Sequence, residues 1–233
     1  MWLPFRRPRR PDAVDPGVAA LPIARSRCAV IDTELTGLDE RRDSIVSLGA
    51  LRVVHGRIDI GDRYYQEARP SSTLTPTSIV IHGITPDETR GRPEISGLLQ
   101  GFLAFCAGDV LVGHFVEIDL LFLAKELRRA GRPPLANRAL DTWAIYDWLS
   151  SRAPHLGGPG LERLRDPRLP ELAEALDVPP GREHHALADA FVTAQVFQRL
   201  LLRLPRWGVT SLGHLLRIGD PRRAAEGQNL PLA

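Results

Sequence analysis

A mixed α/β sheet covered by helices is the fold class this sequence predicts, and three observations carry it. The run CAVID at 28–32 is short, apolar and β-branched, as a buried central strand is. Two β-rich runs, 44–54 and 58–66, flank the turn His55-Gly56-Arg57 and predict a hairpin. Beyond residue 95, segments with helical spacing alternate with short apolar runs, the pattern of helices laid on a sheet.

Taken in order, residues 1–25 are rich in Pro and Arg without a sustained period, and predict a flexible basic arm. Arg6, Arg7, Arg9 and Arg10 would either gather phosphate electrostatically or simply be solvated. Order is expected from about Arg27, in one domain spanning 26–204. The stretch 95–106 is helical in pattern, and DVLVG (109–113) is a second short buried strand. Residues 117–131 repeat apolar positions at Leu120, Leu123, Ala124 and Leu127 and stop at Gly131, which predicts a helix. A strand end runs into a helix over 139–149, and Pro and Gly crowd 153–160 into a surface loop. A short helix near 169–177 and a long one at 186–204 close the domain, leaving 205–233 as a polar C-terminal tail.

Composition narrows the function. With 30 basic and 28 acidic residues among 233, the formal charge is +2, which argues against a strongly basic nucleic-acid coat and permits an enzyme with a local basic rim. Lys125 is the only lysine; the remaining cations are arginines. Cys28 and Cys106 both sit in apolar runs, with neither a disulfide framework nor a zinc spacing. No apolar stretch approaches the ~20 residues of a membrane span, and the N-terminus lacks a signal-peptide core. A cytoplasmic protein without a membrane partner is the expectation.

Three acidic signals stand out. Asp32-Thr33-Glu34 ends the first strand, and two carboxylates two residues apart on an extended chain project to one side, where a divalent cation could bind both. A strand ending in solvent would leave the same trace. Asp119 falls in the first turn of the 117–131 helix, where acids also serve the helix dipole. The third signal is EHHALADA at 183–190, which sets Asp189 among apolar residues next to paired histidines. There a metal would satisfy the acid; the alternative is a cap by Glu183 or His184 with Asp189 on the wet face.

Together DTELTGL, LVGHFVEID and HHALADA resemble, in order and separation, the three motifs of the DEDDh family of 3′–5′ exonucleases, which includes the epsilon proofreading subunit of bacterial DNA polymerase III. IHGIT at 81–85 is similar to the His-Gly-Ile segment of the epsilon-like branch, and the likeness covers about 27–204. The resemblance implies an RNase H-like mixed five-stranded sheet flanked by helices. It implies Asp32, Glu34, Asp119 and Asp189 as metal ligands and His184 as general base. Thr33, Leu35, Thr36 and Gly37 would line a terminal-nucleotide pocket, with His82 near the scissile end. Two ions, Mg²⁺ or Mn²⁺, suit all-oxygen ligation. Asp32 is expected to bridge them, with Glu34 and Asp189 on the nucleophile side and Asp119 on the leaving-group side.

The implied partner is a DNA or RNA 3′ end, with DNA favoured by the His-Gly-Ile segment. Association with a polymerase or sliding clamp stays open, as does the oligomeric state. Exoribonuclease or oligoribonuclease activity is the alternative within the class, and a catalytically inactive binding or tethering module the alternative outside it. Two positions depart from the family: Phe115 stands where it usually has Asn, and Thr77 where epsilon subunits carry a glutamate. For the base, geometry and resemblance pull apart. His185 is four residues from Asp189 and would share its helical face, whereas the motif aligns His184. Both hold if the helix begins only at about Ala186.

Overall fold

The structure, a computed structural model, describes residues 14–152, 161, 164–181 and 184–226. Arg6, Arg7, Arg9 and Arg10, the 153–160 loop, Glu183 and the last seven residues lie outside these.

Five strands form one sheet in the order β3-β2-β1-β4-β5. The long antiparallel half is β1 (Arg27–Leu35), β2 (Ile45–Val54) and β3 (Arg57–Glu67), with β2 and β3 joined as the expected hairpin through His55 and Gly56. Both turn residues take positive φ, 52° and 74°, the left-handed region such a tight connection needs. The short strands β4 (Val110–Gly113) and β5 (Ala139–Asp141) run parallel to β1. This is the mixed five-stranded sheet that the resemblance implied.

Alternation along β1 divides the core. Ala29 and Ile31 face a cluster built with α4 (Ile95–Cys106) and α5 (Glu117–Arg129), which includes Leu99, Phe102, Leu123 and Leu127. Cys28 and Val30 face the other cluster, filled by α6 (Thr142–Ser150), α7 (Leu169–Ala175) and α8 (Ala186–Arg203) through Tyr146, Leu172, Phe197 and Leu200. Both cysteines are buried and free, as their apolar settings predicted. None of the described helices is long and apolar enough to cross a membrane.

Three segments differ from the sequence expectation. Residues 14–25 are not all arm: α1 (Pro16–Ala20) is capped by Asp15, whose Oδ1 accepts from the Gly17 amide at 2.8 Å. Residues past 205 are not all tail either. There α9 (Leu212–Ile218) starts at the Ser211 cap and buries Leu212, Leu215, Leu216 and Ile218, and α10 (Pro221–Glu226) follows. The apolar spacing at 212, 215 and 216 behind a serine was a helix signal outweighed by the surrounding Pro and Gly. The two end segments also join each other, since Leu212 N–H donates to Leu21 O at 2.7 Å and Ile23 N–H to Thr210 O at 2.9 Å. The third difference is α2 (Pro76–His82) with α3 (Pro86–Thr89), where no element was expected. Thr75 caps α2 in a reciprocal box with Ser78, and Gly83 ends it at φ 73°.

Candidate active site

The site forms where the C-terminal end of β1 meets the first turns of α5 and α8. Asp32 lies opposite Gly49 and Glu34 opposite Ser47 on β2, so both acids share the face that α8 covers. Gly49 makes that approach possible, because a Cβ there would stand 2.3 Å from the Ala186 carbonyl carbon. With α8 seated this closely, Asp189 in its first turn comes down beside the two strand acids. Ligand oxygens of Asp32, Glu34 and Asp189 all lie within 4.8 Å of one another.

Asp119 arrives from the opposite layer, in the first turn of α5, buried and held by the Thr33 hydroxyl, which donates to its Oδ1 at 2.7 Å. Electrostatics tie it to Asp32 and Glu34. Burial, then Asp119, Glu34 and Asp189 in that order, push the Asp32 carboxyl well above the usual range. Burial and the charges of Asp189 and Asp119 raise Glu34 to about 8. Burial raises Asp119 to about 7 against the lowering effect of the Thr33 hydrogen bond. Asp32, Glu34 and Asp189 form a cluster that a divalent cation would complete, since burial and neighbouring charges hold Asp32 and Glu34 above the ordinary carboxylate range and the donor atoms are all carboxylate oxygens, the hard set such ions prefer.

The histidine pair resolves as the late helix start requires. α8 begins at Ala186, and its cap is His185, which accepts from the Ala188 amide at 3.4 Å. His184, the expected cap, precedes it, and Glu183, the other cap expected, lies outside the described residues. The His185 ring is also stacked on Tyr65 at 4.5 Å, so both its face and its Nδ1 are committed. His184, just before the cap, is exposed, off the helix axis and held at φ 58°.

His82 ends α2, and its Nδ1 accepts from the Ile84 amide at 3.0 Å. In the neutral ring the proton therefore sits on Nε2, which is buried without a hydrogen-bond partner among the described residues. Burial lowers the pKa of His82, and neighbouring His184 lowers it further, so the two histidines sense each other across the site.

The loop after Glu34 is rigidly built. The Thr36 hydroxyl bonds Asp43 Oδ1 at 3.0 Å and meets Ser72 Oγ at 2.8 Å, so buried Thr36 serves as a strut within the loop. Gly37 has no room for a side chain, since a Cβ would fall 2.5 Å from Asp43 Oδ2. Lys125 of α5, buried, donates to the Asp43 carbonyl and thereby ties this loop to the helix that carries Asp119. Leu35 is half-buried at a register shift in β1.

Sequence reasoning missed Asp141. It is fully buried at the end of β5 and accepts from the amides of Val116 (2.9 Å), Trp143 (2.9 Å) and Ala144 (3.2 Å). One carboxylate thus caps α6 and holds the entry to α5. Burial still raises Asp141 to about 7. Its signal was visible as an acid between a short apolar run and a helix, the N-cap position. Phe115 precedes that entry at φ 51°, a conformation Asn tolerates far better than Phe. Packing of its ring on His114 (4.7 Å) and Trp143 (6.3 Å) offsets the cost.

The chain's residues 29–197 match the profile of an exonuclease family, RNase_T. Over 191 residues it is 31% identical to the PolC-type DNA polymerase III of Thermotoga maritima, covering 82% of this chain and 13% of that protein. The DNA polymerase III subunit epsilon of Aquifex aeolicus is 30% identical over 175 residues, 75% of this chain and 80% of the relative. Among solved structures, an E. coli exonuclease I–single-stranded DNA complex superposes with a TM-score of 0.68 at 20% identity. That match covers 78% of this chain and 42% of the other, and it establishes likeness of fold. The chain thus spans only a small part of the PolC-type relatives it matches.

Proposed function

From the premise that the chain belongs to this exonuclease family, we propose that it is a metal-dependent 3′–5′ exonuclease that releases nucleoside 5′-monophosphates, with DNA as its substrate. The observation that carries the reading is the convergence of Asp32, Glu34 and Asp189 within 4.8 Å, with Asp119 coupled electrostatically to Asp32 and Glu34. DNA is preferred over RNA because the relatives are named as DNA polymerase III proteins and the structural neighbour holds single-stranded DNA. The polymerase names also make a replication polymerase the first partner to test.

In this reading Asp32, Glu34, Asp119 and Asp189 hold two Mg²⁺ or Mn²⁺ ions. When bound, such a pair activates a water and stabilises the leaving 3′-oxygen of a phosphodiester. The protein does the rest. His184, exposed and off the helix axis, takes the proton from the attacking water, and a histidine suits that task near neutral pH. His82 offers its Nε2–H to a phosphate oxygen near the scissile bond. The loop at Leu35, Thr36 and Gly37 supplies a stiff wall for the terminal nucleotide, because Asp43 and Lys125 prevent it from yielding.

The test is hydrolysis of matched 3′-labelled DNA and RNA oligonucleotides by the purified chain, alongside a circular single-stranded DNA. Mononucleotide release from DNA that stops in EDTA and in Asp32→Ala is the expected result. Full activity in excess EDTA, or rapid cutting of the circle, would overturn the proposal.

A further inference from the structure

Ser47 is a buried hydroxyl that the fold itself leaves idle. Its residue is 0% exposed, and its Oγ has no hydrogen-bond partner among the described residues. Burying a hydroxyl in this way destabilises a protein, and alanine would avoid the loss. The strand register says where the hydroxyl stands. Ser47 pairs with Glu34 of β1, two residues from the Asp32–Gly49 pair, so it lies on the same face as both acids. That face is the one α8 covers, as the contact of Gly49 with Ala186 establishes. Directly opposed residues in an antiparallel pair hold their Cβ atoms about 4.5–5.5 Å apart, which makes the Ser47 and Glu34 side chains neighbours on that face.

The neighbour on its other side is already engaged. Glu67 of β3 also pairs with Ser47, but its carboxylate accepts from the Tyr65 hydroxyl at 2.9 Å and bridges Arg92 at 2.8 Å. Glu34 is therefore the acid toward which the free donor can act.

We propose that Ser47 is a positioning residue of the carboxylate site, whose hydroxyl donates the outer hydrogen bond that orients Glu34 when Glu34 turns toward a divalent cation. Outer hydrogen bonds of this kind on ligating side chains commonly change metal affinity by about 10–100-fold. The inference deepens the metal-site reading above and rests on it. Ser47 does not touch the reacting atoms; it acts through Glu34.

Two readouts separate this role from a structural one: Mn²⁺ affinity by calorimetric titration, and thermal unfolding in chelator. Wild type, Ser47→Ala and Ser47→Thr are compared in both. Because the hydroxyl bonds nothing among the described residues, Ser47→Ala should unfold at the same temperature as wild type or higher. Its Mn²⁺ affinity should fall about tenfold, and Ser47→Thr, which keeps the hydroxyl, should recover it. If Ser47→Ala loses thermal stability yet binds Mn²⁺ as wild type does, the hydroxyl is structural and the proposal is wrong. Equal affinity and equal stability also overturn it. A wild type that binds no Mn²⁺ overturns the metal-site reading itself, and this inference with it.

Discussion

Raising the pH of the chelator-treated protein from 6.5 to 8 should destabilise it, and the acid cluster sets the size of the effect. Glu34 titrates near 8 in the fold and has an ordinary value of 4.5 when unfolded. Between those values the folded chain keeps a proton that the unfolded chain has released. Stability therefore falls as pH rises, by about 1.4 kcal/mol per unit for one such group, and levels off above 8. Over roughly 1.5 units Glu34 alone accounts for about 2 kcal/mol. Solvent screening does not reduce this much, because Glu34 is only 8% exposed. Asp119 and Asp141, both near 7, act in the same direction over the lower part of the window. The window starts at 6.5 because His114, half-buried and lowered by desolvation to about 4, works oppositely below that point. There the unfolded chain binds the proton that the folded imidazole refuses, so stability climbs with pH until the unfolded histidine has lost it. For a domain of this size, 2 kcal/mol corresponds to a fall of about 4–8 °C in Tm. Differential scanning calorimetry in EDTA measures it directly. Mg²⁺ or Mn²⁺ should restore the loss at pH 8 and do less at 6.5, where protons compete for the same oxygens. A Tm in chelator that stays flat or rises from 6.5 to 8 would refute the burial and mutual repulsion that hold these carboxyls above their ordinary range.

Further outcomes follow from the same geometry. Asp189→Asn should raise the metal-free Tm, since removing one of the packed charges relieves Asp32 and Glu34 by about 1–2 kcal/mol, while Mn²⁺ affinity collapses; a lower metal-free Tm would show that Asp189 is a structural anchor instead. Gly49→Ala should cost about 3 kcal/mol in urea unfolding, because its methyl meets the backbone of α8; an unchanged midpoint would mean that the helix lifts away freely. His184→Gln should cut turnover by orders of magnitude at little cost in stability. His185→Gln should keep most activity but lose about 1 kcal/mol as the α8 cap goes. The reverse pair of results would hand the base to His185.

The sheet was legible because its strands carry strong local signals: β-branched runs, a glycine turn, and two acids at one strand end. From spacing alone the acids were legible only as types, and the motif resemblance is what grouped them. The approach of Asp189 to the strand acids depends on Gly49, whose only signal is a missing side chain. Asp119 shows the limit clearly, since a first-turn acid has the same appearance whether it serves a dipole or a cation. Ser47 and Tyr65 could not be singled out at all, because their meaning comes from cross-strand register and from ring stacking over long sequence separations. The helices α9 and α10 were hidden for a different reason. Each is too short to show a sustained period, and tertiary packing rather than propensity stabilises helices of that length.

The hydrogen bonds that stitch residues 21–23 to 210–212 have a further consequence for how the protein comes apart. Residues 21–23 and 210–212 form one local unit, although most of the chain lies between them. Neither segment comes loose alone, since releasing α1 exposes the surface of α9 on which it rests. In native-state deuterium labelling the amides of Ile23 and Leu212 would exchange with a common opening free energy, and a proteolytic cut that frees either segment would loosen the other.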